Sequence, residues 1–361
     1  MARRRSRCLE RMVVLVQGVN VAVVGATGAV GQAMIATLVR RNFPWATLKL
    51  LASKRSVGKR VMVGEHSLTV EEATPEAFAG VDIALFSAGG DVSLKLAPEA
   101  VARGALVIDN TSAYRMHPDV PLVVPEVNGK DLFAHKGIIA NPNCSTIQMV
   151  VALNPIYRKY GIKRIIVSTY QAASGAGSRA IDELRDGALA MLAGEEPRAE
   201  VLPVGKLARH YPLAFNILPQ IDVFEENGYT KEEMKMVNET KKIFHDADIS
   251  VTPTAARVPV VYGHSEAVYV ETVKPFDLAE LKAELRAGEG IVVKDDPALQ
   301  EYPQPLEAAG QLEVFVGRIR KDLDDDRGLS LWVVADNILK GAAWNAVQIA
   351  ERWIARDGAG R

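Results

Sequence analysis

The chain has 361 residues, 48% apolar and 24% charged, with a formal net charge of -1. That length suits two domains, and the composition is that of a soluble globular protein. Near-neutrality gives no bulk electrostatic attraction to nucleic acid or an anionic membrane, and no apolar run approaches the roughly 18 to 20 residues of a membrane span. Cys8 and Cys144 are the only two cysteines. They could form at most one bridge, so a disulfide framework is excluded and a reducing, cytoplasmic location is expected.

Residues 1–16 differ from the rest. Four arginines fall within residues 2–7, followed by a short apolar stretch at 12–16. The stretch is too short for a signal sequence, so a disordered extension is expected, with Cys8 a bystander. Residues 20–24 (NVAVV) form a continuous apolar run with β-branched residues, as in a buried parallel strand. Residues 28–41 carry helical spacing. Residues 47–52, 81–87 and 105–109 read as further strands, with a β-rich segment between the first two and a helix-like piece at 98–103. This order implies a Rossmann-type doubly wound parallel sheet.

After about residue 143 the texture changes. Residues 162–170, 249–254, 265–273 and 311–319 read as longer strands, several alternating polar and apolar, without a βαβ rhythm. A second, α+β domain with a mostly antiparallel sheet is expected. An apolar helix is predicted over 147–153 and an inserted helix over 182–192. Residues 337–355 predict a long terminal helix that returns to the first domain.

Gly25-Ala26-Thr27-Gly28-Ala29-Val30-Gly31 follows the first strand and opens a helix. The spacing is GxxGxxG rather than GxGxxG, but the physics is similar. Glycine permits unusual dihedrals and close approach of backbone N–H groups to a pyrophosphate, and the helix N-terminus favours negative charge. A Gly-rich turn without ligand is the bland alternative. The next strand ends in Ser53-Lys54-Arg55-Ser56, with no carboxylate for ribose hydroxyls. Two cations and two hydroxyls suit a 2′-phosphate, which points to NADP rather than NAD. A solvated basic turn is the alternative. Ser87-Ala88-Gly89-Gly90 offers small residues where a nucleotide would cross the sheet edge.

Cys144 sits in Asn141-Pro142-Asn143-Cys144-Ser145-Thr146, a turn feeding an apolar helix. A helix N-terminus stabilises a thiolate, although a lone cysteine is more often inert core. His264 precedes a strand and could exchange protons with the thiol. Arg257 could hold a carboxylate, and Gln171, at a strand end before a Gly/Ser-rich loop, could orient a carbonyl. Each is weak alone, and each could be a surface polar residue. No metal site is expected.

Taken together, GATGAVG, ASKRSVG, TSAYRMHPDVPLVVPEVN, NPNCST, QAASGAG, TKEEMKMVNETKKI, ARVPVVYGHSEAV and ADNILKGAAWNAVQIAE resemble the aspartate-semialdehyde dehydrogenase family. The stretches are co-linear and span nearly all of the chain beyond the extension. The resemblance implies that Cys144 attacks the acyl carbonyl, that His264 is the acid/base and that Gln171 orients the acyl group. It implies that Arg257 grips the substrate carboxylate and that Glu232 meets its ammonium. Arg115 and Lys235 would bind phosphate. Gly25, Thr27, Gly28, Ala29, Val30, Arg55, Ser56, Ser174, Gly175 and Asn337 would contact NADP. On a helix Glu232 and Lys235 share a face, and without the family an exposed ion pair is the simpler reading.

The resemblance further implies reduction of L-aspartyl-4-phosphate to L-aspartate 4-semialdehyde through a thioester, on the route to lysine, methionine, threonine and diaminopimelate. Residues 17–143 plus 337–361 would form the NADP-binding domain. Residues 144–336 would form the catalytic and dimerisation domain. A homodimer is implied, sometimes a tetramer, with the second sheet at the interface; the compact insertion at 182–203 suggests the dimer. N-acetyl-glutamyl-phosphate reductase is the nearest rival. Its substrate has no free ammonium to pair with Glu232. A non-catalytic relative is the other rival, against which Cys144 and His264 occur together.

Overall fold

The computed structural model describes residues 18–357. The extension expected over residues 1–16, with Cys8, lies outside the described residues. Strand β1 (Val19–Val24) leads into α1 (Ala29–Arg40) and β2 (Trp45–Ala52). Strands β3 (Arg60–Val63) and β4 (His66–Glu72) form a hairpin, followed by β5 (Ile83–Phe86) and α2 (Gly90–Ala102). Then come β6 (Leu106–Asp109), the short α3 (Pro125–Asn128) and β7 (Ile138–Ala140). The sheet order is β3-β4-β2-β1-β5-β6-β7. Every neighbouring pair is parallel except β3 with β4.

Burial explains the apolar runs. Every residue of β5 and β6 is buried, because the sheet is covered on both faces. The order reverses at β1, which lies between β2 and β5. The crevice beyond the C-terminal ends of these three strands is therefore the switch point where such sheets bind ligands. The β3–β4 hairpin fills the β-rich segment; its two strands have no separate signal, since they bury few side chains and show no apolar run. The helix-like piece at 98–103 proves to be the last turns of α2, which begins at Gly90 and continues through Pro98.

The second half contains α4 (Cys144–Tyr160), β8 (Ile162–Gln171), α5 (Ser178–Leu192) and α6 (Lys231–Phe244). Strands β9 (Ser250–Arg257) and β10 (His264–Thr272) follow, then α7 (Leu278–Ala287) and β11 (Ile291–Val293). The short α8 (Pro305–Ala308), β12 (Val314–Lys321), β13 (Gly328–Ala335) and α9 (Trp344–Asp357) complete the chain. The sheet order is β11-β12-β13-β10-β8-β9. Its four central strands are antiparallel, and both edge strands pair in parallel. One face packs Val268, Val270 and Leu331 against Ile147, Val151 and Leu153 of α4 in a common core. The helix predicted over 147–153 is longer than expected. It runs through Pro155 to Tyr160 because Leu153, Ile156 and Tyr160 are buried, and tertiary packing outweighs the lost backbone bond.

The terminal helix is not uniform. A π-helical turn, Leu339–Ala343, precedes α9. Val347, Ala350 and Ile354 of α9 join Val23, Leu85 and Ile108 in the core of the first sheet. The chain thus returns to its first domain, as its periodicity predicts.

Candidate active site

The chain emerges from β7 through Asn141-Pro142-Asn143 into α4. Asn141 is locked from both sides: its amide donates to Asn110 Oδ1 at 2.6 Å and its Oδ1 accepts from Asn345 at 2.7 Å. Asn143 occupies the N-cap but does not cap with its side chain. Its Nδ2 donates to Glu232 Oε1 at 2.8 Å, and its backbone N–H donates to Glu239 Oε2 at 2.7 Å. Two carboxylates from α6 therefore hold the residue before Cys144. The Cys144 sulfur lies 3.9 Å from Asn143 Oδ1.

A residue the sequence did not single out presses on the cysteine from behind. A Cβ at Gly341, in the π-helical turn, would lie 2.7 Å from Cys144 Cβ. No ordinary contact is that close, so the turn can pack against the start of α4 only with glycine there. Gly341→Ala is expected to displace the sulfur by a fraction of an ångström and lower kcat roughly 10- to 100-fold, with little change in coenzyme affinity. Steady-state rates beside a circular dichroism spectrum check this; an unchanged kcat would show that the contact relaxes freely.

Glu232 is the hub. Its Oε1 also accepts from Gln171 Nε2 at 3.1 Å, and its Oε2 from Lys235 Nζ at 3.1 Å. Gln171 Nε2 lies 2.7 Å from the Ser145 hydroxyl as well. Lys235 reaches Asp222 at 3.2 Å. Burial alone would raise the Glu232 carboxyl, but Lys235 and the Asn143 and Gln171 amides hold it down to about 2. Arg115 donates to Glu239 Oε1 at 3.0 Å and to the Asn110 and Asn141 carbonyls. The two residues expected to bind phosphate thus also hold carboxylates of this cluster. The shared face of Glu232 and Lys235 is real, and Glu239 extends it by one more turn.

Arg257 and His264 meet at Ala172. The Arg257 Nη1 donates to the Ala172 carbonyl at 2.8 Å. The Ala172 N–H donates to His264 Nδ1 at 3.0 Å. A neutral imidazole bonded this way carries its proton on Nε2. That nitrogen is buried and has no hydrogen-bond partner among the described residues. Burial, and then the Arg257 cation, push the ring down to about 3, so it stays neutral.

The thiol differs from the sequence expectation. Burial and then the Glu232 carboxylate push Cys144 up to about 12, against the opposing pull of Arg115, Arg257 and the Ser145 N–H. The helix start is outweighed, because desolvation penalises the thiolate more than one turn of backbone N–H groups favours it. The thiol is thus held protonated and the imidazole neutral.

The residues expected to contact the nucleotide fall into two groups. Gly25, Thr27, Gly28 and Arg55 line a cavity of about 760 Å³ at the switch point. Gly25 has φ +89°, and a Cβ there would meet the Ser87 backbone at 2.9 Å. Ser56 is buried with its hydroxyl 3.4 Å from that of Thr27, while Ala29 and Val30 open α1. Glu72, brought in by β4, also lines this cavity, as does Lys95. The second group lies beside His264. Asn337 Nδ2 donates to the Ser174 hydroxyl at 3.0 Å, and its Oδ1 accepts from the Gly263 N–H at 3.0 Å. Gly175 packs against Arg257 and His264. Among the described residues no cluster of metal-ligating side chains occurs, and no helix is long and apolar enough to cross a membrane.

Both halves of this arrangement match family models. The semialdehyde dehydrogenase NAD binding domain matches residues 20–135, and the semialdehyde dehydrogenase dimerisation domain matches residues 153–340. The chain is therefore a semialdehyde dehydrogenase by class, an oxidoreductase with an NAD(P)-binding domain. The aspartate-semialdehyde dehydrogenase of Bacillus subtilis (strain 168) is 60% identical over 336 residues, covering 93% of this chain and 97% of the relative. That of Aquifex aeolicus (strain VF5) is 56% identical over 338 residues, covering 92% and 97%. The structure of aspartate semialdehyde dehydrogenase II from Vibrio cholerae, complexed with ASA, superposes with a TM-score of 0.88 at 49% identity, over 93% of this chain and 98% of that one. A Candida albicans aspartate semialdehyde dehydrogenase with NADP gives 0.72 at 27% identity, over 94% and 99%. The chain belongs to the aspartate-semialdehyde dehydrogenase family.

Proposed function

We propose that the chain reduces L-aspartyl-4-phosphate to L-aspartate 4-semialdehyde with NADPH, through an acyl-thioester on Cys144. The observation that carries this reading is the hydrogen-bonded convergence of Asn143, Ser145, Gln171, Glu232 and Lys235 around the cysteine. Residues far apart in sequence thereby share one site. The Cys144 sulfur attacks the acyl carbon, the C–S bond forms, and the C–O bond to phosphate breaks. The thiol proton leaves with the phosphate. The coenzyme supplies the hydride that the thioester accepts. A thioester suits this because it lacks carboxylate resonance, and the covalent step divides one hard reaction into two.

Side chains supply the rest. The Nε2–H of His264 is a donor for the oxyanion; once hydride has reached the thioester carbon the C–S bond breaks, and the departing Cys144 thiolate takes back a proton that His264, as acid/base, would relay from solvent. Gln171 orients the acyl group. Arg257 takes the substrate carboxylate and Glu232 its ammonium. Arg115 and Lys235 bind phosphate. Thr27, Gly28, Ala29, Val30 and Gly25 hold the pyrophosphate, and Ser174, Gly175 and Asn337 the nicotinamide end. Residues 17–143 with 337–361 form the NADP-binding domain and 144–336 the catalytic one. The product serves lysine, methionine, threonine and diaminopimelate synthesis in the cytoplasm. A homodimer forms through the outer face of the second sheet. That face carries an apolar hollow of about 870 Å³ lined by Trp332, Ala267, Tyr262 and Tyr302.

The test is a phosphate-dependent assay in the reverse direction with L-aspartate 4-semialdehyde and NADP. Preference for the N-acetylated glutamate aldehyde would overturn the reading. The coenzyme has its own test. Arg55 is exposed at the cavity rim and makes no side-chain hydrogen bond or ion pair among the described residues. Arg55→Ala is expected to weaken NADPH about 10- to 100-fold, with a much smaller effect on NADH. An equal loss for both would show that Arg55 does not read the 2′-phosphate. Glu72 in the same cavity is a carboxylate that would repel that phosphate, so Arg55 must outweigh it.

A further inference from the structure

Glu266 is a buried carboxyl for which the reaction above has no use. It lies two residues beyond His264 on β10, so both side chains point to the face that packs under α4. Both of its carboxyl oxygens are buried without a hydrogen-bond partner. Gln148 is within hydrogen-bonding reach of it. Gln148 stands one helical turn past Cys144, on the same face of α4. Its amide nitrogen is committed to the His264 carbonyl at 3.3 Å, and its Oε1 is also buried without a partner. The amide oxygen and both carboxyl oxygens thus lack a donor in the same buried region.

Unsatisfied acceptors brought together in a dry interior are unstable unless one of them carries a proton. An amide oxygen cannot supply it, and a carboxylic acid can. Burial disfavours ionisation of Glu266 and outweighs the opposing pull of the Gln148 amide, and the Glu232 carboxylate adds to the effect of burial. We propose that Glu266 is a positioning residue held as a neutral carboxylic acid. It donates its O–H to Gln148 Oε1, and the Gln148 amide in turn holds the His264 carbonyl. The chain of bonds runs from the helix that begins at Cys144 to the strand that begins at His264. It therefore fixes the separation of nucleophile and imidazole from beneath, without touching substrate.

This rests on the reading of Cys144 and His264 as the reacting pair. Glutamine at position 266 keeps both the shape and a donor toward Gln148. Leucine keeps the volume and loses the donor. Glu266→Gln is expected to hold kcat within about twofold of the wild type, whereas Glu266→Leu lowers it about tenfold or more at nearly unchanged KM for aldehyde and coenzyme. The infrared difference between wild type and Glu266→Gln at neutral pH should show the C=O stretch of a protonated carboxylic acid. A Glu266→Leu enzyme with wild-type kcat would overturn the proposal, as would a Glu266→Gln enzyme as impaired as the leucine variant. A carboxylate band in place of the acid band would do the same. If Glu266→Leu does not fold, the infrared spectrum and the glutamine variant still decide. Failure of the wider reading shows separately, as absence of aspartate semialdehyde turnover in the wild type, while the infrared band remains readable.

Discussion

Cys144→Ala is expected to lower turnover about ten-thousandfold or more, while leaving NADPH binding intact. The sulfur is the only thiol among the described side chains gathered around Glu232. Its neighbours are amides, carboxylates, a guanidinium, the Lys235 ammonium paired with Glu232, and a hydroxyl already engaged by Gln171. None can form a thioester in its place. The residues that line the cavity at the switch point lie on β1, β2 and β4, on α2 and on the loops between these elements, none of them on α4, so removal of the sulfur leaves them in place. Steady-state assay with fluorescence titration of NADPH separates the two properties. Substantial surviving turnover would remove Cys144 from the reaction; lost coenzyme binding would mean the alanine disturbed α4 and the π-helical turn.

The protonated thiol shapes what this enzyme needs. Burial and Glu232 disfavour the thiolate at rest. On the proposed reading activation comes with substrate: its ammonium on Glu232 would cancel the charge that raises the thiol, and its phosphate would accept the proton. Reactivity would thereby be coupled to the correct ligand. The imidazole fits the same logic. With Nδ1 occupied by the Ala172 N–H, Nε2 donates rather than accepts, and the low value of the ring keeps that form neutral through the physiological range.

Much of this was legible in the sequence where burial is one-sided or complete. NVAVV, VDIALFS and ALVID announce their strands because both faces of the parallel sheet are covered, and GATGAVG sits where the switch point requires it. The separate strands of the β3–β4 hairpin were not legible, since Arg60, Met62, His66 and Thr69 face outward. That hid Glu72 from the cofactor argument. Strand β13 is a continuous apolar run, GLSLWVVA, and was readable though unread. The start of α6 carried a second unread signal: Thr230 and Glu233 have capping-box spacing, and both reciprocal bonds form. Two features had no local signal. The π-helical turn needs one extra residue per turn, which the periodicity of residues 337–355 conceals, and the requirement for Gly341 arises only when α4 packs against it. The partners Asn143, Ser145, Asp222 and Glu239 likewise depend on tertiary contact. So does the thiol, whose helix-start environment is visible in sequence while its desolvation is not.

Glu232→Gln should move two measurements in opposite directions. The carboxylate accepts from Asn143 and Gln171 on one oxygen and Lys235 on the other. A glutamine oxygen can keep the first two bonds. Its NH2 group would then face the Lys235 ammonium, donor against donor, and a substrate ammonium would meet no charge. Breaking a buried pair of this kind costs about 3 to 5 kcal/mol, so kcat/KM for L-aspartate 4-semialdehyde should fall by about a hundredfold to several thousandfold. Yet the same carboxylate raises the Cys144 thiol, and its removal lowers that barrier to ionisation. Alkylation of Cys144 by iodoacetamide at neutral pH should therefore be faster in the variant that turns over more slowly. The acid limb of stability should change too. The folded-state value of Glu232 is depressed from 4.5 to about 2, so its contribution is complete above the ordinary carboxylate range and is lost as pH falls toward 2. The glutamine variant lacks that limb. Alkylation that slows together with turnover would show that the carboxylate does not restrain the sulfur, and that Glu232 serves only to build the site.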